Sequence, residues 1–345
     1  MYFYRIHNGK DKKGNHKFNI LDKNKQVVID KKILDYINNL VIPPAYRDVT
    51  IFYEKNPKIL FEGYDDKNRK QQIYSQAHKK KSSKKKFCHL MEFGIMLPKI
   101  LSDIEKNMKS KEFTKEKIIS LIIKIIIKCG FRVGNLKYQK LYNSFGISNI
   151  FKEHINIKKI KNKEILYIKF IGKKGVLNEC EIDNENVINE IKKLIEHKKN
   201  KEYVFTYIKK STNGNSIKKN ITNKSNDAED VIKSIDINNW LKRYNENITS
   251  KMFRTFDTNI LFIQLIRGKD NPCNISLSQR KKNVICVMKV ISNQINNTPN
   301  VCKKEYLHPD IWNLYIDHPK KYKQFFNGCN TPLLCFLNYL EAYCK

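Results

Sequence analysis

Among the residues whose side-chain types could work on a phosphate, Arg132, Lys173, Arg254 and Tyr306 stand out by their surroundings in the sequence. Tyr306 closes the stretch NNTPNVCKKEY, which opens a few residues earlier with Asn297 in an N-T-P triplet. Arg132 lies in CGFRVGN, between two helical patterns, and Arg254 ends a K-x-x-R that begins at Lys251. Lys173 sits in GKKG between two β-type runs. Displacement at phosphorus needs a nucleophile, cations on the non-bridging oxygens and a proton for the leaving oxygen. A tyrosine phenol, with an ordinary pKa of about 10, needs neighbouring cations to favour its phenolate. Arginine's planar, permanently charged fork suits two phosphate oxygens, and lysine is the better proton donor. Singly, each residue also has a plainer reading. Arg132 fits a structural salt bridge, Arg254 has Asp257 nearby as an ion-pair partner, Lys173 fits a solvated turn, and most of the 18 tyrosines must pack in the core.

The charge balance says what such a site would meet. Lys and Arg number 67 against 34 Asp and Glu, a formal net charge of +33, far more than solubility needs. A polyanion partner follows, and nucleic acid is the first candidate because each neutralised phosphate releases counterions. The most apolar run, IISLIIKIIIK at 118–128, is interrupted by lysines and too short to span a bilayer, so it reads as a core helix. The N-terminus lacks a secretory pattern, which predicts an intracellular protein, in the cytoplasm or, for a viral chain, in a viral factory, virion or nucleus. Nine cysteines without a C-x-x-C pair predict reduced thiols rather than a disulfide framework or zinc site. No G-x-x-x-x-G-K-[ST] occurs, so no nucleotide cofactor is expected, nor any metal.

The elements that must carry these residues are legible in outline. Residues 47–75 alternate β-branched and aromatic runs with polar turns, which is strand and hairpin chemistry, and KKILDYINNLVIPPAY reads as a helix stopped by Pro-Pro. HKKKSSKKKF at 78–87 has no apolar periodicity and predicts a linker or a phosphate clasp. Helical spacing then dominates, except in EILYIKFIGKKGVLNECEID at 164–183, a hairpin with lysines at its tip. The polar stretch around 210–231 reads as a flexible insertion. The expected fold class is α+β, with a small β-rich domain at 1–80 and a larger, mainly helical catalytic domain at 81–345.

In chain order, the site candidates form Arg, hairpin Lys, K-x-x-R, N-T-P and Tyr, and in that order the sequence resembles the type IB DNA topoisomerases of the poxvirus, giant-virus and bacterial kind. The most specific pieces are FRVGNLKY, FIGKKG, KMFRTF and NTPNVCKKEYLHP, and the likeness runs from IPPAYRDVTIF to the C-terminal region. It implies a clamp around double-stranded DNA, acting as a monomer without cofactors, in which Tyr306 forms a 3′-phosphotyrosyl bond. Arg132 and Arg254 would stabilise the pentacoordinate phosphorus, and Lys173 would protonate the leaving 5′-oxygen. Asn297, where poxvirus relatives have histidine, would donate to a non-bridging oxygen. DNA contacts would come from Gln71, Gln72, Tyr74 and His78 in the small domain and from Asn135, Lys137 and Tyr138 after Arg132. The activity implied is ATP- and metal-independent relaxation of positive and negative supercoils. A tyrosine recombinase shares this chemistry but usually has H-x-x-R where Lys251 begins K-x-x-R. A non-catalytic DNA-packaging protein would account for the charge but not for the ordered residues. Flexibility of residues 298–310 is expected to let Tyr306 dock only on bound DNA.

Overall fold

The protein is described by a computed structural model that covers residues 1–208 and 229–345. By its contacts the chain divides into two units, Met1–Lys86 and Phe87–Lys345.

In the first unit, β1 (Tyr2–Lys10), β2 (His16–Leu21), β3 (Arg47–Phe52), β4 (Ile59–Tyr64) and β5 (Lys70–Tyr74) form one antiparallel sheet in the order β2-β1-β3-β4-β5. Successive strand residues face opposite sides, and Phe3, Ile20, Val49, Ile51 and Phe61 make a small core with Ile37 of helix α1 (Lys31–Asn38). Arg5 occupies an inward position that a hydrophobic residue would ordinarily fill. Its Nη1 and Nη2 donate to the carbonyls of Ile42, Pro43 and Tyr46 and its guanidinium stacks on Phe18, so most of the buried charge is engaged, while Nε has no hydrogen-bond partner among the described residues.

Helix α2 (Gln76–Met108) runs through the division between the units. The lysine-rich segment 78–87 is therefore helix rather than linker. Lysine is a good helix former, no proline precedes Pro98 within α2, and the buried Phe87, Leu90 and Phe93 give the following turns a face to pack.

In the second unit, α3 (Lys115–Cys129) is the hydrophobic centre, capped by Thr114 at its start and by Gly130 at φ 61° at its end. Its buried Lys117 is satisfied by the Ser110 carbonyl and by Glu190. After α4 (Leu136–Tyr142) comes a three-stranded antiparallel sheet, β6 (Ile155–Ile160), β7 (Lys163–Ile171) and β8 (Leu177–Ile182), in that order. The β7–β8 hairpin agrees with the sequence reading, whereas β6 had been missed. Then follow α5 (Glu185–Ile195), the pair β9 (Thr206–Ile208) and β10 (Glu229–Val231), and α6 (Ser234–Leu241). The chain closes with α7 (Lys251–Arg267), α8 (Leu277–Gln294), α9 (Pro299–Glu305), α10 (Pro309–Asp317), α11 (Pro319–Phe326) and α12 (Pro332–Cys344). The expected insertion at 210–231 lies outside the described residues, except that 229–231 form β10. A small sheet unit followed by a mainly helical one is the α+β class expected.

Four cysteines depart from the expectation of reduced thiols: Cys88 is bonded to Cys344 and Cys129 to Cys180. These pairs are far apart in sequence and meet only through the packing of α2 on α12 and of α3 on β8, which cysteine spacing does not reveal. Among the described residues, no helix is long and apolar enough to cross a membrane.

Candidate active site

Tyr306 sits at the C-terminal cap of α9, and the N-T-P triplet explains why that helix begins where it does. Thr298 accepts a hydrogen bond from the Val301 N–H, and Pro299 occupies the first helical position, where no N–H is needed. The helix closes with the N–H groups of Tyr306 and Leu307 both donating to the Cys302 carbonyl. Tyr306 is 4% exposed and already faces two cations. The Arg132 Nη2 donates to its hydroxyl at 3.3 Å, and the Arg254 guanidinium lies 5.2 Å from the centre of its ring. Tyr306 is thus held in helical surroundings against both arginines.

Arg132 is presented by the turn between α3 and α4. Gly134, at φ 114°, and Gly146 pass so close that a Cβ on Gly146 would stand 2.4 Å from the Gly134 Cα. The Arg132 carbonyl accepts from the Ile147 N–H at 2.9 Å, fixing the turn. Arg254 lies on α7, 3% exposed, and donates through Nη2 to the Ile295 carbonyl at 3.0 Å. The ion pair expected with Asp257 does not form, because the guanidinium is drawn to Ile295 and Tyr306 instead. Asp257 lines a cavity of about 200 Å³ with Arg254, Gln264 and Gln294, and burial pushes its carboxyl up to about 7.

Three buried donor atoms here have no hydrogen-bond partner among the described residues: Arg254 Nε, Arg254 Nη1 and Asn297 Nδ2. Buried donors are nearly always paired, and Arg132 also repels Arg254. An anion carrying several acceptor oxygens would relieve both defects. Burial opposes ionisation of the Tyr306 phenol, but Arg254 and Arg132 outweigh it and hold the pKa below the ordinary tyrosine value. A lowered phenol pKa means that more phenolate is present at any given pH. Single-turnover covalent cleavage is therefore expected to rise with pH and level off before the ordinary value of about 10. Arg254→Ala would move that midpoint upward, and a wild-type midpoint at or above the ordinary value would refute the assignment.

Lys173 is not drawn into this cluster. It stands exposed on the β7–β8 turn, with no hydrogen bond or ion pair among the described residues. The turn is shaped by Lys174 at φ 65°, Gly175 at φ 73° and a Gly172 N–H bond to the Val176 carbonyl.

Residues 75–331 match the family described as eukaryotic DNA topoisomerase I, catalytic core, and residues 17–65 match the bacterial DNA topoisomerase IB N-terminal domain. The chain belongs to the type IB DNA topoisomerase family. DNA topoisomerase 1B of Acanthamoeba polyphaga mimivirus is 29% identical over 328 residues, covering 94% of this chain and 91% of that protein. DNA topoisomerase 1B of vaccinia virus (strain Copenhagen) is 22% identical over 84% of this chain and 83% of its own length. DNA topoisomerase 1 of Mycosarcoma maydis is 23% identical over 54% of this chain and 18% of its own length.

The DNA-contact candidates of this topoisomerase fall into three situations. Gln72 and Tyr74 share one face of β5, where the Tyr74 hydroxyl donates to Gln72 and the Gln72 amide donates to Glu62. His78 stacks on Tyr74 at 5.2 Å. Gln71 points to the opposite face and donates to Asp65, so strand alternation separates it from its neighbours. On α4, Lys137 and Tyr138 are exposed, with Tyr138 stacked on Tyr142, while the Asn135 side chain caps the helix by accepting from the Lys137 N–H.

One residue at the site escaped the sequence reading. Asn259, fully buried on α7, donates to the carbonyl of Tyr306 at 2.9 Å and accepts from the N–H of His308 at 2.8 Å. It thereby fixes the backbone on both sides of Leu307. Its position five residues beyond Arg254 on the same helix was the available signal, since asparagine is a poor helix former that needs a reason to be there. Asn259→Ala would leave two buried backbone groups unpaired and let Tyr306 drift, and a displacement of about 1 Å can cost on the order of 10² in rate. Single-turnover cleavage beside a melting curve checks this. A folded variant with the wild-type rate would refute the positioning role.

Proposed function

We propose that the chain relaxes positively and negatively supercoiled duplex DNA by transient single-strand cleavage, without ATP or a metal ion. The Tyr306 oxygen attacks a phosphodiester phosphorus and becomes bonded to the DNA 3′ phosphate. The bond to the 5′ oxygen breaks, and Lys173 supplies the proton that turns that oxygen into a free hydroxyl. The 5′ strand then swivels and its hydroxyl attacks the phosphotyrosine, restoring the backbone and freeing Tyr306. Because the phosphodiester energy is kept in the covalent intermediate, no nucleotide need be hydrolysed. Arg132, Arg254 and Asn297 hold the non-bridging oxygens, and the two permanent charges counter the charge that builds on phosphorus. Gln72, Tyr74 and His78 contact the same duplex from the small unit, and Lys137 and Tyr138 from α4. One chain supplies every residue in this scheme, in keeping with a monomer.

The observation that carries the reading is the convergence of Arg132 and Arg254 on the Tyr306 phenol, beside three buried donors without hydrogen-bond partners among the described residues. The test is relaxation of plasmids of both superhelical signs in EDTA without ATP, with capture of protein attached to a DNA 3′ end. Loss of linking number in both plasmids, with a captured adduct, is expected. An adduct with strand-exchanged products and no relaxation would instead make the chain a recombinase, and binding without an adduct would make it a packaging protein.

A further inference from the structure

The two segments that present Arg132 and Lys173 are joined covalently. Cys129 is the last residue of α3, three residues before Arg132, and its sulfur is bonded to that of Cys180 on β8. Strand β8 is the outgoing arm of the Lys173 hairpin and, among the described residues, an edge of its sheet with β7 its only ladder partner. Several other ties reach β7 instead. Phe131 packs edge-on against Phe170 with ring centres 4.9 Å apart, and the Phe145 N–H donates to the Ile171 carbonyl at 2.9 Å. From α3 toward β8 there is also the ion pair Lys128–Asp183 at 3.2 Å, which is exposed and so holds weakly. The turn is closed at its base, where the Gly172 N–H and the buried Asn178 amide donate to the Val176 carbonyl, but its tip is exposed at Lys173, Lys174 and Gly175, and a Cβ at Gly175 would meet nothing within 4 Å.

We infer that the Cys129–Cys180 disulfide is a positioning link that holds the Lys173 hairpin in register with the Arg132 turn, so that the chain cleaves DNA faster with the link closed than open. The inference rests on the reading of Lys173 as the proton donor. Closing the link removes two protons and two electrons from the thiols, and these reduce one low-molecular-weight disulfide to two thiols. Opening is the reverse exchange, with attack favoured at the half-buried Cys180 sulfur over the 2%-exposed Cys129. A proton donor on an untethered edge hairpin spends less of its time within reach of the leaving oxygen, which lowers the rate without abolishing it.

The test uses the full chain and two duplexes, one with the ordinary 5′ oxygen at the scissile position and one with sulfur there. A thiolate leaves without protonation, so the sulfur duplex reports every part of the site except the acid. Single-turnover adduct formation is measured for unreduced wild type, wild type treated with dithiothreitol, Cys180→Ser and Cys344→Ser, the last removing only the Cys88–Cys344 bond. On the oxygen duplex, reduction and Cys180→Ser are each expected to slow cleavage about tenfold, a part of the 10²–10⁴ that a positioned acid supplies. On the sulfur duplex neither changes the rate, and Cys344→Ser matches wild type on both. Cys180→Ser and reduced wild type at full rate on oxygen would overturn the inference. So would equal slowing on both duplexes, or alkylation of Cys129 and Cys180 in unreduced protein. Wild type that forms no adduct on either duplex would overturn the proposed reaction, and the role of the link with it.

Discussion

Tyr306→Phe is expected to form no covalent adduct and to relax no plasmid, while binding duplex DNA with the affinity and salt dependence of the wild type. Binding rests on phosphate contacts by cations distributed over a chain of net charge +33, and the substitution removes none of them. The phenyl ring keeps its place near Arg254, so the buried cation retains its aromatic neighbour. Only the attacking oxygen is lost. An alternative nucleophile, Cys302, lies one turn earlier on α9, but it is fully buried, and burial pushes its thiol up to about 11 against the pull of Arg254 and Arg132. At neutral pH it is a thiol, not a thiolate, and does not substitute. Anisotropy titrations over a range of salt, alongside denaturant-resistant adduct on a labelled duplex, separate binding from chemistry. Residual adduct in the variant would mean that another residue attacks.

How far the sequence reveals this arrangement depends on whether a feature is local. The β7–β8 hairpin was legible because its glycines and β-branched arms encode a turn and two strands within twenty residues. The start of α9 went unread, because residues 298–310 were expected to be flexible, although Thr298 and Pro299 are a complete local instruction. The helical state of 78–87 was hidden because lysines carry no periodicity, and the apolar anchor that stabilises the helix begins only at Phe87. Strand β1 was hidden by Arg5, a charged residue at an inward position whose carbonyl partners lie some forty residues away. Asn259 and the Cys129–Cys180 bond depend on α7 reaching Tyr306 and on α3 meeting β8, contacts between elements distant in sequence. The candidate site was legible as a set of types in order. Its geometry, including the docked tyrosine and the missing Arg254–Asp257 pair, was not.

Arg254→Ala is expected to cut the single-turnover cleavage rate by on the order of 10²–10³, or about 3–4 kcal/mol of transition-state stabilisation. Three losses coincide in this one change. Two buried donors aimed at no protein acceptor disappear, the cation that lowers the Tyr306 phenol is removed, and the Ile295 carbonyl loses its bond. Arg254→Lys restores the charge but only a single donor centre in place of the fork, so it recovers a fraction of the rate rather than all of it. Asn297→Ala is expected to cost less than either arginine, because a neutral hydrogen bond to phosphate is weaker than a charged one. Stability should move the other way. An incompletely paired, buried guanidinium is costly, so the alanine variant is expected to melt no lower than the wild type even as its rate collapses. That opposition is the useful part of the experiment: a residue kept for the fold loses stability when removed, and one kept for the transition state loses rate. Arg254→Ala with a lower melting temperature and an unchanged cleavage rate would return the residue to the structural reading from which it began.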